Sequence, residues 1–219
     1  MEEFRIIELK EGIFERNNQE AESLRDEMSA KGIFLLNLMG SPGAGKTTLL
    51  TRIIESLQDE VNIAVMEADI DSDVDAKTIA LTGAKVIQLH TGGMCHLDAF
   101  MTRQGIDALG ADDAGLIILE NVGNLVCPAE FDTGATKNAM ILSVPEGDDK
   151  PLKYPLMFEV SDIMIINKID VLSVFDFDID LCAERAKKLN PNIEVFRVSS
   201  KTGEGIDALA DWFRKEILK

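Results

Sequence analysis

Two periods of apolar residues alternate along this chain. From 13 to 30, Ile13, Phe14, Ala21, Leu24 and Met28 recur at near-helical spacing among charged residues, and Lys31-Gly32 closes the run as a helix C-terminus would. The spacing predicts an N-terminal helix. IFLLNLM (33–39) is continuous and apolar, the mark of a short strand buried on both faces, and it runs directly into glycine. Leu49, Leu50, Ile53, Ile54 and Leu57 then form a helical stripe. NIAVME (62–67), KVIQL (85–89), GLIILE (115–120), AMILSV (139–144), DIMIIN (162–167) and IEVFRV (193–198) read as further strands, with helical patterns at 97–109, 180–189 and 205–218. Such alternation specifies an α/β fold, a mostly parallel sheet with helices on both faces, in which ligands sit beyond the carboxyl ends of the strands. The pattern divides the chain into an N-terminal helical extension, 1–32, packed on the same domain, and a main domain, 33–219. Segments 122–137 and 145–155 are the longest without a period, and long loops inside a compact domain are more often functional than structural.

A chain of 219 residues, 46% hydrophobic and 28% charged, fits one ordinary globular α/β domain. Its longest apolar stretch, 33–39 with Asn37 inside it, falls far short of the roughly 20 residues needed to span a bilayer. MEEFRIIELKEG is acidic where a signal peptide would be basic, so neither secretion nor membrane anchoring is expected. The net charge of −17 repels phosphate backbones and argues against nucleic-acid binding. Any phosphate must therefore be held by a local device. Three cysteines, Cys95, Cys127 and Cys182, are an odd number at irregular spacing, which disfavours a disulfide framework and makes the cytoplasm the expected location.

The local device is GSPGAGKT (40–47), which satisfies GxxxxGK followed by Ser or Thr and sits between a buried strand and a helix. Backbone N–H groups of such a loop converge on phosphate oxygens, and the helix N-terminus adds a favourable dipole. Gly40, Gly43, Ala44, Gly45, Lys46, Thr47 and Thr48 are thus candidate nucleotide contacts, with Lys46 neutralising the β and γ phosphates and the Thr47 hydroxyl ligating Mg²⁺. Asn167-Lys168-Ile169-Asp170 follows the strand DIMII and resembles the NKxD motif of GTP-binding proteins. Its aspartate accepts from the guanine N1–H and 2-amino groups. Adenine lacks both donors, and the carboxylate left unpaired would cost roughly 1 to 3 kcal/mol. Ser199-Ser200-Lys201-Thr202, after another strand, matches the place of a base-contacting turn, so Ser200 and Lys201 join the guanine site and GTP is expected over ATP.

The DxxG that ordinary small GTPases carry after the second magnesium-side strand is missing. GLIILE instead runs into Glu120-Asn121-Val122-Gly123-Asn124, with no glutamine to orient attacking water, so slow intrinsic hydrolysis is expected. The acidic string Glu67-Ala68-Asp69-Ile70-Asp71-Ser72-Asp73-Val74-Asp75 fails as a calcium loop, because Val74 stands where glycine is needed and Ala80 where glutamate is needed. One or two of its carboxylates are expected at Mg²⁺ and the γ-phosphate; Asp69 and Asp75 are favoured, with Glu120 as a further magnesium ligand. Lys46, Thr47, Asp75 and Glu120 are the candidate catalytic residues.

Cys95-His96 follows the strand KVIQL at an expected helix start, whose N-terminus would favour thiolate, and Cys127 lies past GLIILE at the same sheet edge. Two thiolates and an imidazole suit Zn²⁺ or Ni²⁺, but three ligands do not close a tetrahedron, so the site would be open or shared between two chains. Cys182 sits in a helical pattern without a ligand beside it and reads as core; His90, at a strand end, reads as structural.

GSPGAGKTT, TGGMCHLDA, ENVGNLVCPAEFDTG and NKID, in this order, closely resemble the HypB family, GTPase accessory proteins that deliver nickel during NiFe-hydrogenase maturation and relatives of the urease accessory GTPase UreG. The match runs from about Phe34 to the C-terminus. The resemblance implies a phosphate-loop fold of the signal-recognition-particle and MinD class, GTP-promoted homodimerisation, and a metal site of Cys95, His96 and Cys127 at the dimer interface. It also implies that Lys153, in KPLKYP, reaches the partner subunit's nucleotide, and that the chain meets a hydrogenase precursor or another nickel-delivery accessory protein. Two features depart from the family pattern: MEEFRIIELKEG carries neither a cysteine motif nor a histidine-rich tract, and Lys77 stands where an arginine is usual. The competing reading is a nucleotide-gated scaffold whose zinc is purely structural. A small-molecule kinase is disfavoured, because no arginine-rich lid is present.

Overall fold

The computed structural model describes residues 9–69 and 74–218. Its elements run α1 (Leu9–Ala30), β1 (Phe34–Gly40), α2 (Lys46–Leu57), β2 (Ile63–Asp69), α3 (Val74–Ala80), β3 (Lys85–His90), α4 (Ala99–Leu109), β4 (Leu116–Glu120) and α5 (Cys127–Glu130). They continue with β5 (Lys137–Ser143), α6 (Lys150–Lys153), α7 (Pro155–Glu159), β6 (Ile163–Asn167), α8 (Ile179–Leu189), β7 (Glu194–Arg197) and α9 (Ile206–Ile217). Every expected strand is present. The part of the acidic string at 70–73, and the first eight residues of the N-terminal extension, lie outside the described residues.

The strands form one 7-stranded sheet in the order β3-β2-β4-β1-β5-β6-β7, with each neighbouring pair parallel. All of β1 is buried, as a strand covered on both faces must be. One face carries α2 and α9, where Leu50, Ile53, Ile54, Trp212 and Phe213 pack on Leu36, Leu38, Val65, Ile118 and Ile165. The opposite face is covered in two parts. Leu24 and Met28 of α1 join Leu35, Met66, Ile117 and Leu119, while Phe158 and Cys182 join Met140, Leu142, Met164 and Ile166. Leu24 and Met28 are fully buried, so truncating either to alanine would cost about 2 to 5 kcal/mol. The N-terminal helix therefore shares the domain core.

From β1 the chain crosses to β2 on one side of the sheet, and from β4 it steps over β1 to β5 on the other. The loop after β1 lies at this switch of direction, where open parallel sheets bind their ligands. The two segments without period hold short helical turns, α5 in the first and a 3-10 turn at Val144–Glu146 and α6 in the second, consistent with their lack of an amphipathic stripe. Among the described residues no helix is long and apolar enough to cross a membrane.

Candidate functional site

Two cavities meet across the loop between β1 and α2. The first, about 380 Å³, is lined by Gly43, Gly45, Lys46, Thr47, Thr48, Glu67, Asp69, Asp75, Glu120 and Gly123 among others. The second, about 290 Å³, is lined by Gly45, Thr48, Asn167, Lys168, Asp170, Val171, Ser200 and Lys201. Gly45 and Thr48 belong to both, so a phosphate-bearing ligand can run from one into the other. Gly45 precedes α2 with φ 99°, and a Cβ there would stand 2.6 Å from Asn167 Nδ2; only glycine fits. Gly40 and Ala44 line neither cavity. They pack beneath the loop, Ala44 fully buried and Gly40 pressed against Ile141.

The NKID segment is tied to this loop by hydrogen bonds. Asn167 donates to the Ala44 carbonyl (3.0 Å), while its Oδ1 accepts from the Ser200 N–H (3.1 Å) and hydroxyl (2.9 Å). Lys168, with φ 62°, is the one non-glycine residue of positive φ among the described residues, and its Nζ donates to the Gly43 carbonyl at 2.6 Å. Asp170 accepts from the Ser199 hydroxyl at 2.6 Å, which fixes one carboxylate oxygen and leaves the other for the cavity.

At the phosphate end, carboxylate oxygens of Glu67, Asp75 and Glu120 lie within 4.8 Å of one another. Asp69, which the sequence reading favoured, lines the same cavity but is outside this close set, and Glu67 is inside it. The register explains it. Glu67 and Glu120 are directly paired on β2 and β4, whereas Asp69 lies one pleat further out, paired with His90. Glu120 is 2% exposed, and its Oε1 accepts from the Thr47 hydroxyl at 3.1 Å. Burial pushes its carboxyl up to about 8, with Lys46 opposing, and pushes Glu67 up to about 7. One oxygen of each, Glu67 Oε2 and Glu120 Oε2, is buried without a hydrogen-bond partner. Two orphaned carboxylate oxygens beside a hydroxyl are the donor set a hard divalent cation takes, so these residues fit Mg²⁺.

A second cluster gathers ligand atoms of Cys95, His96 and Cys127 within 4.8 Å, all three residues half-buried. Cys95 Sγ is 3.9 Å from His96 Nδ1. The pair does not open a helix as the sequence suggests: α4 begins at Ala99, capped by Asp98, whose carboxylate accepts from the Met101 N–H at 2.9 Å. Cys95 and His96 sit in the preceding turn. The Cys127 thiol is raised, first by its hydrogen bond with Cys95 and then by burial. Burial lowers His96 and keeps its imidazole neutral, the form that ligates metal. His90 is exposed at the end of β3 outside this cluster, and Cys182 is fully buried in α8 with its thiol pushed up to about 12.

The family model described as CobW/HypB/UreG, nucleotide-binding domain, matches residues 34–197. Hydrogenase maturation factor HypB of Azotobacter chroococcum is 45% identical over 97% of this chain and 70% of its own length. The chain belongs to the HypB family. The crystal structure of HypB from Helicobacter pylori in complex with nickel superimposes with a TM-score of 0.87, at 36% identity, covering 92% of this chain and 95% of that one. The 54 kDa signal recognition particle protein of Aeropyrum pernix, at 14% identity, TM-score 0.57 and coverage of 85% and 46%, shares the fold alone. This HypB-family chain is a hydrogenase maturation factor with a phosphate-loop nucleotide-binding domain.

Sequence reasoning missed the parts that join the two clusters. In this HypB chain Asn121, fully buried, follows Glu120 and accepts from the Leu97 N–H (3.3 Å), next to His96, while donating to Asn37 Oδ1 (3.0 Å). Asn124 donates its N–H to the Gly40 carbonyl (3.0 Å), and its Oδ1 accepts from the Val126 N–H (2.8 Å), beside Cys127. Gly123 lies against Pro42, where a Cβ would stand 2.9 Å from the proline ring. Glu67 had a legible signal: NIAVME and GLIILE both end a buried strand in glutamate. Lys153 lines neither cavity; its Nζ pairs with Asp149 at 2.5 Å.

Proposed function

We propose that this chain is a GTPase that carries nickel into hydrogenase maturation, with metal affinity set by its nucleotide state. The observation that carries the reading is the short segment from Glu120 to Cys127: it has a carboxylate of the phosphate cavity at one end and a thiol of the Cys/His cluster at the other. Asp170, held by Ser199, reads the guanine N1–H and 2-amino groups, and an adenine there would leave the carboxylate unpaired. Lys46 neutralises β and γ phosphate charge as it develops, and the backbone of 43–47 cradles the polyphosphate. Thr47, Glu67 and Glu120 hold Mg²⁺, which supplies charge neutralisation at the phosphate oxygens. Asp75, exposed at the start of α3, stands on the open side of this cavity and orients water toward the γ-phosphate. Among the described residues no glutamine lines the cavity, and slow turnover is expected on that ground.

Nickel is cargo at Cys95, His96 and Cys127. A three-ligand, half-exposed set is the open form that exchanges metal, in contrast to the closed four-ligand sites of structural zinc. Two such sets facing across a two-fold axis would complete the coordination in a GTP-promoted homodimer, with Lys153 reaching the partner's nucleotide. Because a net charge of −17 opposes self-association, GTP with Mg²⁺ and Lys46 supplies the centre a dimer can bury. The receiving partner is a hydrogenase precursor or another nickel-delivery protein, in the cytoplasm. The extension 1–32 acts as part of the same domain as 33–219.

A chelator competition titration of nickel, run with a non-hydrolysable GTP analogue and with GDP, tests the coupling. Different affinities are expected, with linkage requiring nickel to shift nucleotide affinity by the same factor. Cys127→Ala should weaken nickel binding and abolish the difference. Equal nickel affinities in the two states would remove the carrier mechanism. Light scattering should give monomer without nucleotide and dimer with the analogue; one mass in both states would remove the dimer.

A further inference from the structure

Helix α1 holds both segments that carry Cys95, His96 and Cys127. Asn17, 2% exposed, donates from Nδ2 to the Asp132 carbonyl (2.8 Å) and accepts at Oδ1 from the Ala99 N–H (2.9 Å). Ala99 lies just past His96, and Asp132 just past the helix that Cys127 opens, so one buried amide spans the two strands of chain that supply the ligands. Phe14 stacks on Phe131 at 4.9 Å and 29°, and Phe131 in turn stacks on the His96 ring at 3.9 Å and 13°. Arg25 fastens the same stretch, donating to both Asp132 carboxylate oxygens (2.7 Å) and to the Ala135 carbonyl (2.9 Å). Gly134, at φ 78°, lets that stretch lie directly on the helix, for a Cβ there would stand 2.9 Å from Leu24.

General packing needs none of this specificity. A helix that only covered the sheet would be served by Leu24 and Met28, and a buried asparagine with both amide atoms committed to separate segments is costly unless each bond is made. Side chains behind a ligand set its ring plane and spacing, and their loss commonly weakens metal binding by about 10- to 100-fold.

We propose that α1 is a positioning element of the Cys95–His96–Cys127 site: Asn17 fixes the spacing between the two ligand segments, and the Phe14–Phe131 stack fixes the plane of the His96 imidazole. The inference rests on the reading of that cluster as a nickel site.

The test titrates the full chain with Ni²⁺ against a chelator and with Co²⁺ by visible absorption, alongside GDP affinity and thermal unfolding. Asn17→Ala and Phe131→Leu should each lose about 10-fold or more in Ni²⁺ affinity and alter the Co²⁺ absorption bands, with GDP affinity unchanged. Phe131→Tyr, which keeps the stacking ring, should restore both. Arg103→Gln is the control: it removes the α4 guanidinium that pairs with Glu20 and Glu27 of α1, away from the ligands, and should lower the unfolding temperature without changing Ni²⁺ affinity. Parental Ni²⁺ affinity in Asn17→Ala and Phe131→Leu would overturn the positioning role, as would an Arg103→Gln protein that loses as much affinity as they do. If the unmodified chain binds no Ni²⁺, or Cys127→Ala binds it as tightly, the cluster reading itself fails and this inference with it.

Discussion

Replacing Glu120 with glutamine should make the metal-free protein more stable at pH 8 while disabling its response to magnesium nucleotide. Glu120 is 2% exposed and keeps one oxygen unpartnered, so burial raises its carboxyl from the ordinary 4.5 to about 8. Between those values the folded chain holds a proton that the unfolded chain has released. Stability contributed by this group is therefore present below pH 4.5 and is lost as pH rises through about 8. At about 1.4 kcal/mol for each pH unit, the loss at pH 8 is on the order of 4 kcal/mol, and at pH 5 it is below about 1 kcal/mol. Glutamine has the same shape, can still accept from the Thr47 hydroxyl and carries no charge to bury. Glu67, raised to about 7 chiefly by burial, lies in the same field, so Glu67→Gln should relieve part of the same cost and the two should not add. The assay is urea unfolding in excess EDTA at pH 5 and pH 8. The stability gap between variant and parent should open with pH, and the comparison cancels the titration of groups outside the coupled Glu67–Glu120 pair. Magnesium GDP at 100 times its dissociation constant should stabilise the parent by about 2.7 kcal/mol and the variant much less. A gap that stays flat from pH 5 to pH 8, or a variant less stable than the parent at pH 8, would refute the reasoning.

Asp170→Asn exchanges the base-reading acceptor for an amide and should weaken GTP while favouring xanthosine nucleotides, measured by competition against a fluorescent guanine nucleotide; equal ATP and GTP affinities in the parent would remove the assignment. Lys46→Ala should abolish phosphate release, since the charge that compensates the transition state is gone; unchanged turnover would show the loop is not catalytic. Cys182→Ala removes a fully buried sulfur, so it should lower unfolding stability on the order of 1 kcal/mol and leave nickel affinity at the parental value in both nucleotide states.

The fold was legible because apolar runs such as IFLLNLM and DIMIIN are short, continuous and followed by glycine or an NKxD segment, which leaves little choice but a parallel sheet with loops at one edge. The phosphate loop and NKID were legible for a related reason: each is contiguous, so its chemistry is visible without knowing the fold. Glu67 was harder. Its place beside Glu120 depends on β2 pairing with β4 in one register, and that pairing is not local in the sequence. Asp69 looked the better candidate because the acidic string continues through it. Asn17 and Phe131 were invisible for the same reason, since Asn17 is separated in sequence from Asp132 and Ala99, the residues its amide joins. The helix start was misplaced by a few residues. Cys95 and His96 precede the helix instead of starting it, because Asp98 has the side chain that can cap and they do not.

The cost of burying Glu120 and the placement of the metal cluster belong to one arrangement. Without a cation, burial raises both carboxyls in the phosphate cavity, Glu120 to about 8 and Glu67 to about 7; Mg²⁺ bound there, as proposed, would favour their ionised form. The chain that bears Glu120 has few ways to absorb such a change. Asn121 is anchored to Leu97 and Asn37, Gly123 is pressed on Pro42, and Asn124 is bonded to Gly40 of the phosphate loop. On the proposed reading a shift at Glu120 is passed along these bonds to the turn that carries His96 and to the approach to Cys127. A looser connection would let the phosphate cavity fill without the thiols responding. On the proposed reading, the dense bonding of this segment, more than the presence of either cluster, is what would carry a change in the phosphate cavity to the thiols.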